Sequence, residues 1–366
     1  MNHPILTAWH EVTAAQLPSS VSVWDAHTHT GANDPDGFTN TPEALLAELN
    51  AAEHAGAIIM SSANPQGYPA HNDRILEEAA GSGGRLIPYL RVDPKDGSAV
   101  AETNRSLEAG HRGVKLHPRS EGFKLDLPAV QEIAAIAAQH RVPLLVHAGR
   151  GMDPLGHTPI RLLDANPGLQ IILAHCAISD LSTLAVESQT RPGLLFDTAW
   201  WNSADLAALF SWVDASQILY ASDMPYGAPL MSSTIATRAA IQAGLVGPAL
   251  SAVFGGNLLR VLAGEQATPI GVGIPAFADP GLLRVAVNLF GAISQTFAGA
   301  VPTQSLELAL RAAETLPSPQ DGLYAAIRAT IDAVFDLKDD EPRERLGLLF
   351  VACSAALTPA VGHPSL

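Results

Sequence analysis

Eight short runs of apolar, largely β-branched residues recur along the first two-thirds of the chain and constrain its fold more than any other feature. They begin at Val21 (VSVWDAHTH), Ala57 (AIIMSS), Leu86 (LIPYLRV), Gly113 (GVKLHP), Val142 (VPLLVHAG), Leu169 (LQIILAHC), Leu194 (LLFDTAW) and Gln217 (QILYASD). Their starts lie 23 to 36 residues apart, the length of a strand–helix–strand unit. Runs that are apolar almost without interruption belong to a sheet buried on both faces, and such sheets are parallel. Eight parallel strands with a crossover after each, in about 245 residues, predict a closed (β/α)8 barrel, the TIM barrel, rather than an open doubly wound sheet. The first strand-to-helix turn carries no glycine-rich dinucleotide fingerprint, which agrees.

Helical periodicity fills the intervals. Residues 41–56 read as a helix capped by Thr41, with Pro42 at its first position and Gly56 as its stop, and residues 127–141 and 204–214 repeat the pattern. Beyond Ala263 strand character ends. A Pro/Gly-rich joint over 267–280 leads into helical segments near 281–297, 305–316, 322–337 and 341–357. The chain therefore divides into an N-terminal extension (1–20), a barrel (21–266) and an all-helical C-terminal region (267–366) that packs on the barrel or serves oligomer contacts. The most apolar stretch, 346–357, is too short to span a bilayer and reads as a core helix. The charged stretch 336–345 reads as a solvated helix–helix connection.

Charge narrows the partners. Against 36 Asp and Glu stand 21 Lys and Arg, a formal charge of −15. No basic face is visible for nucleic acid or an anionic membrane. The two cysteines, Cys176 and Cys353, do not make a disulfide framework and fit a reducing cytosol. The first 20 residues lack the basic start and continuous apolar core of a signal peptide. The expectation is a cytoplasmic homodimer acting on a small molecule, with no nucleic-acid or membrane partner.

In such a barrel the reactive face is the C-terminal end of the strands. There the first run ends in His27-Thr28-His29, the fifth in His147, the sixth in His175 and the eighth in Asp223, while the fourth carries Lys115 and His117. Strand alternation puts His27 and His29 on one side, and Lys115 and His117 likewise. Three imidazoles and a carboxylate suit zinc or another first-row divalent ion. A catalytic ion keeps one position for water and lowers its pKa. A single strand-end histidine is ordinarily a hydrogen-bonded structural residue. Five such groups at the same ends of four strands are hard to produce that way.

The ordered set Asp25-Ala26-His27-Thr28-His29, Val114-Lys115-Leu116-His117-Pro118, Val146-His147-Ala148-Gly149, Ala174-His175-Cys176 and Ser222-Asp223-Met224-Pro225 resembles the amidohydrolase superfamily. It is most similar to the amidohydrolase-related branch that includes aminocarboxymuconate semialdehyde decarboxylase, and Gly255-Gly256-Asn257-Leu258-Leu259-Arg260 resembles that branch's ending. The resemblance covers about residues 21–264 and leaves the C-terminal hundred aside. It implies that His27, His29, His147 and Asp223 hold one divalent ion per chain, zinc first among candidates. His175 would then polarise the substrate or relay a proton, and Asp223 would also accept the proton of metal-bound water. Lys115 has three open roles: a carboxylated bridge between two ions, which would recruit His175 as a ligand; a cation for a substrate carboxylate; or an ion pair with Asp25. His117 faces the substrate or supports the ligands.

Arg91, Arg119 and Arg150 follow the third, fourth and fifth runs and suit an anionic substrate, since guanidinium forks match carboxylates. Lys115, His117, Arg91 and Arg150 are the substrate-binding candidates. Trp200, Trp201 and Tyr226 fit as walls for a flat or apolar substrate, whereas Cys176 faces away from the site. The leading expectation is metal-dependent hydrolysis of a small anionic lactone, ester or amide. The alternative is metal-dependent, non-oxidative decarboxylation of an aromatic or dienic acid. A non-catalytic metal-binding scaffold is disfavoured by the intact ligand set.

Overall fold

In chain order the strands are β1 (Trp24–Thr30), β2 (Gly56–Ser61), β3 (Leu86–Pro88), β4 (Leu90–Arg91), β5 (Val114–Leu116), β6 (Leu144–Val146), β7 (Ile171–Leu173), β8 (Leu194–Asp197) and β9 (Ile218–Leu219). Each pairs in parallel with the next, except that β3 and β4 are two halves of one run. The Tyr89 N–H donates back to the Ile59 carbonyl (2.9 Å), and the Leu90 N–H donates forward to that of Gly113 (3.0 Å). That run therefore changes neighbour midway and still counts as one stave of eight. The first and last staves close the ring: Asp223 N–H donates to the His27 carbonyl (2.9 Å) and His29 N–H to that of Met224 (2.7 Å). The computed structural model describes residues 3–32, 34, 37–149, 151–274, 280–314, 321–338 and 341–366.

The strand pattern sorts side chains as a barrel requires. Leu145, Ile172, Leu195 and Leu219 fill the lumen with Ile58, Met60 and Tyr89. Their neighbours Leu144, Val146, Ile171, Leu173, Leu194 and Phe196 join the outer core with the helices. The helices around the barrel are α1 (Pro4–Ala14), α2 (Pro42–Ala51), α3 (Pro69–Ala80), α4 (Ala99–Ala109), α5 (Pro118–Glu121), α6 (Pro128–His140), α7 (Thr158–Ala165), α8 (Leu181–Ser188), α9 (Ser203–Trp212), α10 (Pro229–Gln242), α11 (Pro248–Ser251) and α12 (Asn257–Leu262). Thr41 caps α2 as expected, its hydroxyl accepting from Ala44 N–H (3.2 Å). The stop is elsewhere: α2 ends at Ala51, and Gly56 opens β2. Between them the Ala55 N–H has already turned to the Val23 carbonyl (2.8 Å), so the glycine lies in the sheet.

The C-terminal region forms α13 (Pro280–Phe297), α14 (Thr303–Glu314), α15 (Asp321–Asp336) and α16 (Pro342–Leu357). It shares one apolar core with the barrel's outer layer. Helix α10 shows why: 13 of its 14 residues are buried, so it cannot present a polar outer face to water. Helices α1 and α16 cover it. Trp9 on α1 donates its indole N–H to the Thr330 hydroxyl on α15 (2.9 Å), and the buried Arg238 guanidinium of α10 lies over the same ring (4.9 Å). Arg238 donates to the carbonyls of Thr358, Val361 and Gly362 just past α16. These carbonyls supply partial negative charge to a cation that burial pushes down to about 9. The charged stretch before α16 is only partly solvated, because Arg345 is buried and donates to the Lys338 carbonyl (2.9 Å). Among the described residues no helix is long and apolar enough to cross a membrane.

Candidate metal centre

At the C-terminal mouth of the barrel, carbonyl and carboxylate partners fix the tautomers of the histidines. Asp197 Oδ2 accepts from His27 Nδ1 (2.9 Å), and the Ser61 carbonyl accepts from His29 Nδ1 (3.2 Å). Both Nε2 atoms are thus left with lone pairs. These nitrogens lie 3.1 Å apart, and each is 3.3 Å from Asp223 Oδ1. Three acceptors at such separations repel unless a cation lies close by, whether a metal ion or the Lys115 ammonium 2.9 Å from His27 Nε2. With metal–ligand bonds of about 2.1 Å, the edges of a tetrahedral or octahedral shell measure roughly 3.0–3.4 Å. The donor set fits a divalent ion.

The other two histidines form a second relay. The Ala199 carbonyl accepts from His175 Nδ1 (2.7 Å), so His175 Nε2 accepts from His147 Nδ1 (3.0 Å). His147 Nε2 is then an acceptor, buried and without a partner among the described residues. One ligand atom each from His27, His175 and Asp223 also lies within 4.8 Å of the others, a second grouping that suits a metal. Gly149 makes the packing possible, since a Cβ there would stand 3.0 Å from His175 and 3.1 Å from His147. His117 stacks on His147, centroids 3.9 Å apart, while its Nδ1 caps α5 by accepting from Ser120 N–H (3.1 Å).

Backbone strain is concentrated here. His175, Cys176 and Ala177 occupy the left-handed region (φ 58°, 59° and 49°), as does Asp223 (φ 57°). Such residues cost about 1–3 kcal/mol each and persist where the surroundings over-determine them. The holding group at His175 is Asp197, whose Oδ1 accepts from His175 N–H (2.8 Å) and Ala199 N–H (2.9 Å). Burial pushes the Asp197 carboxyl up to about 7 and holds His27, His29 and His147 well below the usual imidazole range. Neutral imidazoles are what a metal requires. Burial likewise lowers Lys115 to about 8.

Lys115 stands 2.9 Å from His27 Nε2. Among the described residues no ion pair joins it to Asp25, whose Oδ1 instead accepts from the N–H groups of His27 (3.1 Å) and Ser222 (3.0 Å). Arg91 is fully buried and already balanced: it donates to Glu121 (2.7 Å) and to the Ser61 carbonyl that His29 also uses. Tyr68 donates to the same Glu121 oxygen (2.6 Å). Arg119, Trp200, Trp201 and Tyr226 line the cavity of about 780 Å³ above the histidines. Arg150 lies outside the described residues. The Cys176 thiol is buried and pushed well up by that burial.

Two site groups escaped the sequence expectations. Asp197 stands in the apolar run LLFDTAW, and a lone carboxylate at a strand end was the available signal. Asp34 sits on the loop after β1, accepts from the Tyr226 hydroxyl and lines the cavity. Loop position gives no such signal.

Solved structures with this architecture include 2,6-dihydroxybenzoate decarboxylase from Rhizobium (TM-score 0.54, 14% identity), covering 66% of this chain and 99% of that one. The 5-carboxyvanillate decarboxylase of Sphingomonas paucimobilis (0.53, 14%) covers 67% and 99%, and the 4-oxalomesaconate hydratase of Rhodopseudomonas palustris (0.51, 15%) covers 66% and 96%. No curated protein matches the chain. The amidohydrolase family profile matches residues 24–262, well over half of the sequence, and the chain belongs to that amidohydrolase family.

Proposed function

We propose that the protein is a metal-dependent lyase that removes CO2 from an aromatic or dienic carboxylic acid. The carrying observation is the set of converging acceptors His27 Nε2, His29 Nε2 and Asp223 Oδ1 beneath a cavity that also presents Lys115 and aromatic walls. The two decarboxylases named above support it, as relatives in fold. His27, His29, His147 and Asp223 would hold one divalent ion, zinc first among candidates. When bound, that ion supplies a Lewis acid that draws electron density from a substrate oxygen.

The chain's own groups do the rest. The Lys115 ammonium holds the carboxylate, while Trp200 and Trp201 confine the flat ring or diene. The bond from carbon to the carboxyl group breaks, its electron pair stays on the carbon, and CO2 leaves. A proton replaces it, delivered by His175 or Asp223, which stand within 4.0 Å of one another. Hydrolysis, the leading expectation from the sequence, becomes the second reading; a hydratase on the same fold keeps it in view. There Asp223 would take the proton from water.

The deciding experiment incubates the metal-loaded protein with a panel of aromatic acids and lactones. It reads CO2 release against ring-opened product. CO2 from an aromatic acid, lost on metal removal, is the expected result. Ring-opened lactone with no CO2 from any acid would overturn it in favour of hydrolysis.

A further inference from the structure

The family match ends at residue 262, yet α16, far beyond it, reaches the loop that carries Asp223. At its first turn, Arg343 donates to the Pro225 carbonyl, and its guanidinium lies over Phe38 (5.6 Å). Phe38 packs on Tyr226 (4.9 Å), whose ring meets His29 edge-on (5.7 Å) and whose hydroxyl donates to Asp34. Two turns on, Phe350 packs on Trp201 (6.0 Å) and is backed by Phe297 of α13 (6.2 Å). Trp201 in turn lies against Gly227, where a Cβ would stand 2.8 Å from the indole ring. So α16 touches the 223–227 loop from two sides, directly through Arg343 and by way of Trp201 through Phe350.

That loop needs support. Asp223 is left-handed, and the N–H groups of Tyr226 (2.9 Å) and Gly227 (3.1 Å) close back onto its carbonyl. The sheet holds it from within through Asp223 N–H on the His27 carbonyl. From outside, Met224 packs with Leu45, Leu49 and Ile59, and Arg343 adds a hydrogen bond from beyond residue 262.

We propose that α16 is part of the active-site wall and that Arg343 is a positioning residue, bracing the 223–227 loop so that Asp223 meets His27 and His29. This rests on the reading of those three residues as a metal site. The same contacts tie the loop after β1 to the loop after β9, so the aromatic side of the cavity, Trp201 and Tyr226, takes its shape from the C-terminal region.

The test compares Arg343→Ala, Arg343→Lys and Phe350→Leu with Thr330→Ala, which loosens the same region away from the loop. The full-length protein is stripped of metal, and Zn2+ affinity is measured by competition with a chromophoric chelator. Hydrogen exchange is followed at the Tyr226 and Gly227 amides. Arg343→Ala should weaken Zn2+ by about 10-fold or more, as loss of an outer partner of a metal ligand does, and should speed exchange at both amides. Arg343→Lys, which keeps the cation over Phe38, should recover most of the affinity. Thr330→Ala should lower the thermal midpoint and leave Zn2+ affinity alone. Unchanged affinity and exchange in Arg343→Ala, or an equal loss in Thr330→Ala, would overturn the proposal; if Arg343→Ala does not fold, Phe350→Leu is judged by the same two readouts. Wild-type protein that binds no Zn2+ would sink the metal reading, whereas the exchange rates would still judge the brace.

Discussion

His27, His29 and Asp223 bring three electron pairs together with no proton shared among them, and His27 and His29 are each held there by a partner outside the triad. In the hydrolytic reading Asp223 must both ligate and exchange a proton, and in the lyase reading it is one of two proton donors. Asp223→Asn keeps an oxygen able to ligate and loses the proton. Metal should stay bound, more weakly, while turnover falls about 10²–10⁴-fold; initial rates beside elemental analysis check it, and near-normal turnover would hand the proton to His175. At the opposite end of the barrel, burial holds His54 down to about 3, and neither of its ring nitrogens has a hydrogen-bond partner among the described residues. Unfolded, this histidine takes a proton near pH 6.5. Its contribution to stability is therefore complete above about pH 6.5 and shrinks as pH falls from there toward 3, because only the unfolded chain gains the proton. His54→Leu should flatten that limb in urea melts between pH 7 and 5. An unaltered slope would assign the acid sensitivity to the other buried histidines.

Among the elements, the helices of the C-terminal region form close to where their periodicity puts them, because an amphipathic stripe is a local property. The strands were legible as apolar runs, although some are only two or three residues long and the third divides at Tyr89. That division is a pairing event, set by which neighbour lies on each side. Helix α10 carries the strongest element-scale consequence. Its outer side is covered from both chain ends, so a chain cut after residue 266 should expose it. Such a truncation is expected to collect in the insoluble fraction, or to bind a hydrophobic dye strongly if any remains in solution. A soluble monomer with native near-ultraviolet circular dichroism would show that the barrel stands alone.

For the molecule as a whole, the site sits on a barrel closed by apolar packing and backbone pairing. Removing metal should therefore abolish turnover and keep the far-ultraviolet circular dichroism. The unfolding free energy should fall only by the linkage contribution of the bound ion, about 2.7 kcal/mol at a hundredfold excess over Kd, with a matching drop in the thermal midpoint. Global unfolding on chelation would mean that the ion is structural; undiminished turnover in metal-free protein would remove both catalytic readings. The whole-molecule feature least visible beforehand is that both chain ends are built into the barrel's outer layer. Leu6, Trp9, Arg238 and Thr358 look unremarkable in sequence, since the contacts joining them span more than a hundred residues.

Sequence alone determined the barrel, its eight staves and the helical C-terminal region, and it put His27, His29, His147, His175 and Asp223 at strand ends. All of these are carried by local period and by residue type at a strand end. What it could not determine is where those groups point. Alternation from Ile172 and Ala174, both in the lumen, would turn Cys176 inward and His175 toward the helices. The left-handed turn at 175–177, pinned by Asp197 from the next strand, reverses this. In β1 a register shift between Asp25 and Thr28 lets Ala26 fill the lumen while His27 still reaches the site. Only the tertiary structure decided these orientations, because each depends on a hydrogen bond or a register set by a strand distant in sequence.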